Sequence, residues 1–184
     1  MKRPIIIAIV GLPGAGKSEA TACFLKSGFA KVGFNDVFYD EFDRRGIQRV
    51  EELERPVREE MRKEFGMNVA AIRSLSKIEK LLSEKKNIVI ESLYSWSEYK
   101  TVKERYYDWF KVLAIYAPPE LRYKRLKTRD TRPLTEQEAQ KRDYAQIENL
   151  EQAQPIVMAD WTIKNLENKQ EFIKEVEDLI EKII

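Results

Sequence analysis

The sequence of 184 residues contains no histidine and a single cysteine, Cys23. Histidine is the side chain that most often exchanges a proton near neutral pH, so proton transfer here falls to carboxylates, lysine or tyrosine. One cysteine excludes an intrachain disulfide, and we therefore expect a reducing compartment, the cytoplasm.

Long apolar runs and an excess of one charge are also missing. The apolar run Ile5–Val10 is far shorter than the ~18 residues of a membrane span, and it leads into a glycine-rich turn rather than a signal-peptide cleavage site. Lysine and arginine number 33 against 31 aspartates and glutamates, a net charge of +2. This balance gives no reason to expect nucleic acid or a membrane as partner. We expect a monomer or a small homo-oligomer.

Apolar runs alternate with helical patterns along the whole sequence. The predicted strands are Ile5–Val10, Phe29–Phe34, Asn87–Glu91, Trp109–Tyr116 and Trp161–Lys164. The predicted helices are Lys17–Leu25, pieces of Asp36–Glu64 with one starting at Pro56, Met67–Leu82, Glu120–Arg129, Thr135–Asn149 and a last one from about Lys169. Alternating strands and helices form βαβ units, which predicts an α/β fold with a parallel sheet covered on both faces.

A glycine-rich turn follows the first predicted strand. Residues 11–18, GLPGAGKS, match the P-loop pattern G-x-x-x-x-G-K-[ST] between a strand and a helix. Glycines let consecutive backbone N–H groups point at one anion, and the next helix adds the positive end of its dipole. The lysine of this pattern reaches the β- and γ-phosphates, and its serine hydroxyl ligates Mg²⁺. We therefore predict that a nucleoside triphosphate binds to Gly11, Leu12, Pro13, Gly14, Ala15, Gly16, Lys17, Ser18 and Glu19.

Two carboxylates follow other predicted strands. Glu91 ends the strand Asn87–Glu91, where P-loop sites place a carboxylate that holds Mg²⁺ directly or through water, so Ser18 and Glu91 are the predicted metal ligands. Asp36 follows the short second strand and is the other well-placed carboxylate. The structural alternatives are a solvent-facing charge for Glu91 and a helix N-cap for Asp36.

Four arginines are spaced three, four and three residues apart: Arg122, Arg125, Arg129 and Arg132. This spacing predicts that all four lie on one face of a helix before Pro133 ends it, and Arg142 follows on the next helix. Such cations screen the charge of a transferred phosphoryl group and exclude water. The alternative is a solvated charged face, which charge runs usually are. Their position after a strand favours function, because open α/β sheets bind ligands at the carboxyl ends of their strands.

With the P-loop, three further stretches make the sequence similar to small-molecule kinases of the P-loop nucleoside-monophosphate-kinase group, most of all to the dephospho-CoA kinase family and its uncharacterised relatives. Arg125–Arg142 resembles the lid of that family, and NIVIESLYSWSEY resembles the segment around its third strand. Met158–Asn168 resembles the segment before its last helix. The resemblance extends over nearly the whole chain.

This resemblance implies one domain with a three-layer α/β/α fold, whose five-stranded parallel sheet has the order 2-3-1-4-5. The core would comprise residues 1–35, 67–128 and 150–184, with a helical insert on the acceptor side over about 36–66 and a lid over about 122–149. The implied cofactors are ATP and Mg²⁺. The implied reaction transfers the γ-phosphoryl group to a nucleotide-like or CoA-precursor acceptor.

The resemblance also implies roles for individual residues. Arg129 would pack against the adenine or contact the phosphates of ATP, and Asn165 would border the adenine. Asp36 would be the candidate base near the acceptor hydroxyl. The remaining predicted catalytic cations, near the transferred or acceptor phosphates, are Lys17, Arg125, Arg132 and Arg142.

The sequence departs from that family after the third strand. Glu91 replaces the usual aspartate, and Ser92–Ser95 lacks the arginine that monophosphate kinases commonly place there. The sequence therefore does not identify the acceptor. The alternative function is a P-loop ATPase or regulatory nucleotide-binding protein. A switch GTPase is disfavoured, because the D-x-x-G match at residues 43–46 follows no strand and the N-K-x-D-like stretch at 168–171 ends in glutamate.

Overall fold

Five strands form one parallel sheet in a computed structural model of the chain, which describes residues 3–166 and 168–184. Met1, Lys2 and Glu167, which fall within the predicted core segments, lie outside the described residues. The strands are β1 (Ile6–Val10), β2 (Ala30–Gly33), β3 (Ile88–Glu91), β4 (Phe110–Tyr116) and β5 (Trp161–Lys164). Their order is β2-β3-β1-β4-β5, and every neighbouring pair is parallel. The predicted α/β fold and strand order are confirmed.

The position of each strand follows its apolar pattern. All five residues of β1, IIAIV, are buried, as a central strand with both faces covered requires. The edge strands carry exposed polar side chains instead, Lys31 in β2 and Thr162 in β5. The most continuous apolar run therefore forms the middle of the sheet and leads directly into the P-loop.

Helices cover both faces of the sheet. They are α1 (Lys17–Lys26), α2 (Asp36–Arg45), α3 (Glu51–Phe65), α4 (Val69–Ser83), α5 (Trp96–Tyr106), α6 (Pro119–Thr128), α7 (Glu136–Leu150), α8 (Ala153–Val157) and α9 (Lys169–Ile183). On one face, α1 and α9 bury Phe24 and Phe172 against β1. On the other face, α2 to α5 form the larger core with side chains such as Phe38 and Ile78. No helix of the described part of the chain is long and apolar enough to cross a membrane.

The prediction that Pro56 starts a helix was wrong. Pro56 lies inside α3, which begins at Glu51. The first turn of α3 carries Glu51, Glu52 and Glu54, and these carboxylates interact favourably with the positive end of the helix dipole. Pro56 follows within the second turn, where it removes one backbone donor without ending the helix.

Helix α5 was not among the predicted helices, although it carries a start signal. Ser95 Oγ accepts the backbone N–H of Glu98 at 3.0 Å, and Glu98 Oε2 accepts the N–H of Ser95 at 2.8 Å. This reciprocal pair is a capping box, recognisable in sequence as S-x-x-E. Ser95 Oγ also donates to the Met67 carbonyl at 3.2 Å, so the start of α5 is fixed close to the start of α4.

Candidate active site

The P-loop joins β1 to α1 and depends on glycine at two positions in particular. Gly14 and Gly16 have φ angles of 79° and 104°, in the region that favours glycine. A Cβ on Gly14 would lie 2.7 Å from the carbonyl oxygen of Arg122, and a Cβ on Gly16 would overlap the Nδ2 of Asn165. The turn is therefore packed closely against α6 and the loop after β5, and its backbone lies at the base of the site.

Lys17, the first residue of α1, is folded back onto the P-loop. Its Nζ donates to the carbonyl of Gly11 at 2.7 Å and to that of Leu12 at 3.2 Å. Burial, together with the positive charges of Arg142 and Arg122, lowers the pKa of Lys17 to about 8. A cation held in this turn is placed to meet an anion that the turn binds.

A cavity of about 510 Å³ opens beside the P-loop, at the carboxyl ends of β1, β3 and β4. Every predicted site residue contributes to its lining except Gly11, Leu12, Ala15, Asp36 and Arg132. The cavity is also lined by six residues that were not among the predicted site residues: Ser92, Tyr94, Leu126, Gln146, Lys169 and Phe172. The sequence motif and the separate cations thus converge on one space.

The prediction that the four arginines share one helix face was wrong. Helix α6 ends at Thr128, so only Arg122 and Arg125 lie on it. Arg129 is extended, with φ −71° and ψ 147°, and Arg132 has a left-handed φ of 50°. Pro133 disfavours helical geometry in the residue before it, and the spacing rule fails where the helix has already ended.

Arg125 lies on the side of the site formed by the loop after β5. Its guanidinium donates to the Asn165 carbonyl and to Asn165 Oδ1, both at 3.1 Å, and to the Leu166 carbonyl at 2.5 Å. Asn165 Nδ2 in turn donates to the Ala15 carbonyl at 2.8 Å. Arg125 and Asn165 together brace the P-loop against β5, at the edge where the resemblance places the adenine rather than the acceptor.

Arg129 and Arg142 face the cavity near Lys17. Arg129 donates to the carbonyl of Arg132, and its pKa is lowered by burial and by the neighbouring charges of Arg142 and Arg132. The side chain of Arg142 has no hydrogen-bond or ion-pair partner among residues 3–166 and 168–184, although it lines the cavity. Its guanidinium has donors available for an anionic ligand.

Arg132 points away from this cavity. Its Nη2 lies 3.0 Å from Glu54 Oε1 and donates to the Arg49 carbonyl at 2.6 Å. Glu54 is buried in α3 and also pairs with Arg58 at 3.0 Å. Arg132 therefore links the loop between α6 and α7 to the helical insert.

The two predicted carboxylates have different surroundings. Glu91 lines the cavity with Ser18, and its Oε2 lies 2.5 Å from Lys31 Nζ. Asp36 is the first residue of α2, follows the N-cap Asn35 and faces Lys77 at 3.4 Å, outside the cavity lining. The N-cap alternative for Asp36 is therefore excluded, and its helix position is the first turn.

The residues present fit a magnesium ion held together with phosphate. No group of three or more Cys, Asp or Glu residues suited to a metal occurs in the described ranges, so these ranges offer no all-protein cage. A serine hydroxyl and one carboxylate on the same cavity, next to a turn that suits phosphate, are the donors of a Mg²⁺ that takes its other oxygens from phosphate and water.

Fold and site together define a P-loop domain with a kinase-like fold. A family model described as "AAA domain" matches residues 7–152. A UPF0200 protein of Pyrococcus abyssi is 33% identical over 183 residues, covering 98% of this chain and 97% of that protein. The chain belongs to the AAA domain family and to the UPF0200 family.

Solved structures with the same fold include TT1252 from Thermus thermophilus, with a TM-score of 0.66, 21% identity and full coverage of both chains (100% each). Dephospho-CoA kinase from Campylobacter jejuni has a TM-score of 0.58 at 19% identity, covering 97% of this chain and 96% of that one. Shikimate kinase from Bacteroides thetaiotaomicron has a TM-score of 0.61 at 16% identity, with 97% and 98% covered. At such identities these likenesses show the fold alone.

Proposed function

We propose that this protein is a small-molecule kinase that binds MgATP on the P-loop and transfers the γ-phosphoryl group to a nucleotide-like or CoA-precursor acceptor. The observation that carries the proposal is the convergence of Lys17, Arg129 and Arg142 on one cavity beside the P-loop. Phosphoryl transfer needs positioning and charge stabilisation far more than covalent chemistry from the protein. Three cations around a phosphate-binding turn meet that need.

Each part of the cavity has a separate task in this proposal. The P-loop backbone and Lys17 bind the phosphates, while Arg125 and Asn165 hold the loop that borders the adenine. Ser18 and Glu91 hold Mg²⁺, which neutralises phosphate charge when bound. Glu91 exchanges its ion pair with Lys31 for this contact.

The acceptor enters from the side of β2, β3 and the helical insert. Asp36 lies there, two residues before Phe38 of the core, and takes the proton of the acceptor hydroxyl. The fold is shared with proteins described as dephospho-CoA kinase, shikimate kinase and gluconokinase, which supports a small molecule as acceptor.

The second candidate is a P-loop ATPase or regulatory nucleotide-binding protein. It is favoured by Ser92–Ser95, which supplies no arginine to the acceptor side of the cavity. An ATPase of this kind would release ADP at a rate that no acceptor changes.

Asp36→Asn separates the acceptor side from the nucleotide side. The variant should slow acceptor-dependent transfer by about 10²-fold or more, because a positioned general base typically contributes that much, and should leave MgATP affinity unchanged. Asp40→Asn, on the same helix and exposed, is the matched control and should change neither quantity. A collapse of MgATP affinity in Asp36→Asn would assign Asp36 to the metal site instead.

A further inference from the structure

A buried ion pair lies directly behind the cavity. Arg122 on α6 and Asp143 on α7 have side chains only 3% and 4% exposed. Two hydrogen bonds join them, Nη1 to Oδ1 at 3.0 Å and Nη2 to Oδ2 at 2.6 Å, and the Tyr123 hydroxyl donates to the same carboxylate at 3.0 Å. A buried pair of this kind adds little net stability over well-packed apolar residues, so its place in the fold points to a geometric task.

The remaining donors of Arg122 reach the P-loop and the central sheet. Nη1 donates to the Pro13 carbonyl at 3.0 Å, and Nε donates to the Ala117 carbonyl at 3.0 Å. One guanidinium therefore joins the phosphate-binding turn, the end of β4 and helix α7. Because a guanidinium is planar and its donors are fixed, the three partners hold one another in a single arrangement.

Helix α7 has a second attachment to the same turn. Gln152, which follows α7 and is completely buried, donates from Nε2 to the Gly11 carbonyl at 3.2 Å. Its backbone N–H donates to the Gln146 carbonyl at 3.1 Å, which ties Gln152 to the last turns of the helix. By contrast, the loop before α7 is held by Arg132, whose side chain is 51% exposed. The helix is anchored by two buried side chains, Asp143 and Gln152, whereas the side chain that ties the loop to the insert, Arg132, is half exposed.

We propose that the Arg122–Asp143 pair is a positioning device, which fixes α7 against the P-loop so that Arg142, the neighbour of Asp143, stays beside Lys17. The part of the lid that moves is then confined to residues 129–135, and α7 is a fixed wall of the cavity. The task of Arg142 at the γ-phosphate rests on the proposed function. The anchoring of α7 does not.

The anchoring is tested on the unliganded protein by amide hydrogen exchange. Residues 136–150 should exchange far more slowly than residues 129–135, and Asp143→Asn should raise exchange in α7 and in residues 12–16 together. Tyr123→Phe, which keeps the ion pair and removes one hydrogen bond, should raise exchange in the same two segments by less. Equal exchange of α7 and residues 129–135 in the unmodified protein would overturn the proposal.

A double variant that replaces both Arg122 and Asp143 distinguishes a positioning role of the ion pair from a contribution to stability alone. Asp143→Asn leaves Arg122 buried without its partner and should lower the melting temperature, whereas the double variant Arg122→Met, Asp143→Leu should regain most of it. MgATP affinity of the double variant should still be at least about tenfold weaker, the loss of one charge-assisted hydrogen bond, and ADP affinity should fall by less, because ADP lacks the γ-phosphate that Arg142 meets. If the double variant regains its melting temperature and binds MgATP as tightly as the unmodified protein, the proposal is contradicted.

A thermodynamic cycle with Arg142 identifies the group through which the pair acts. Arg142→Ala should weaken MgATP binding about tenfold in the unmodified protein and should add almost nothing in the double variant, because coupled residues are not additive. Additive losses would show that the pair acts elsewhere. The control is the exposed pair Arg105–Glu79, where Arg105→Met with Glu79→Leu should leave nucleotide binding unchanged. Failure of the unmodified protein to bind MgATP would instead contradict the proposed function, and the exchange experiment would still decide the anchoring.

Discussion

The ammonium group of Lys17 is buried against the P-loop, away from solvent. Its ammonium group is satisfied by two carbonyls of its own turn, and burial lowers its pKa to about 8. A phosphate in the turn offers the same ammonium group a negatively charged partner. Because a phosphate adds an opposite charge to the hydrogen bond and a carbonyl does not, Lys17 should bind a phosphate in the turn more strongly than the two carbonyls.

Replacing Lys17 should therefore abolish nucleotide binding without unfolding the protein. In Lys17→Ala we expect MgATP affinity to fall below detection in a calorimetric titration and the melting temperature to stay within a few degrees. Lys26→Ala is the matched control, since Lys26 ends the same helix with a side chain 82% exposed. Unchanged affinity in Lys17→Ala would mean that the P-loop is not the phosphate site.

The pKa of Lys17 also predicts how binding depends on pH. Lys17 is charged below about pH 8, so MgATP affinity should fall as the pH rises from 7 to 9. The contribution of Lys17 to the free energy of unfolding should change in the opposite direction. Its pKa is about 8 in the folded protein and 10.5 in the unfolded chain, so the unfolded chain binds more protons between these two pH values. The free energy of unfolding should therefore rise with pH in this range. Lys17→Arg keeps its charge throughout, because an arginine does not deprotonate, and its MgATP affinity should not fall over this range. The same decline in Lys17→Arg would place the titrating group elsewhere.

The N-terminal cap of α5 should affect the stability of the fold without affecting nucleotide binding. Ser95 caps α5 and holds Met67 at the start of α4, away from the phosphate-binding turn. Ser95→Ala should lower the free energy of unfolding by about 1 to 2 kcal/mol, measured by denaturant titration, and should leave MgATP affinity unchanged. Ser97→Ala on the same helix is the control, since the Ser97 hydroxyl has no hydrogen-bond partner in the part of the chain that the structure describes. An equal loss in both variants would show that the cap contributes nothing.

Elements were predicted well where a single local signal decides the structure. The apolar run of β1 and the glycine pattern after it predicted strand, turn and helix, because a buried strand and a phosphate-binding turn each leave a local pattern. The capping box of Ser95 and Glu98 was an equally local signal for α5. It could have been read from the sequence.

Long-range pairing was not predictable in this way. The spacing of Arg122 to Arg132 looks helical, yet each arginine takes a different partner because α6 ends at Thr128. The partner of Arg122 is Asp143, 21 positions away, and no periodicity links the two. Tyr94 and Gln146 reach the cavity only through the packing of β3 and α7, so no sequence pattern marked them.

At the scale of the whole molecule, the parallel sheet brings every part of the site to one edge. The P-loop follows β1, Glu91 ends β3, and the arginines follow β4, so residues far apart in sequence meet at the carboxyl ends of three adjacent strands. In the proposed function, the nucleotide side is the one braced by α6 and the loop after β5. The proposed acceptor side comprises β2 and the insert α2–α3, where Glu54 meets Arg132.

The central claim is transfer of a phosphoryl group to a small acceptor, and ADP release from MgATP tests it most directly. The rate should be measured with and without dephospho-CoA, nucleoside monophosphates, nucleosides and small polyols. We predict a large stimulation by one of these, lost in Lys17→Ala and slowed in Asp36→Asn. Slow ADP release that no acceptor changes would contradict the kinase assignment and favour an ATPase or regulatory nucleotide-binding protein.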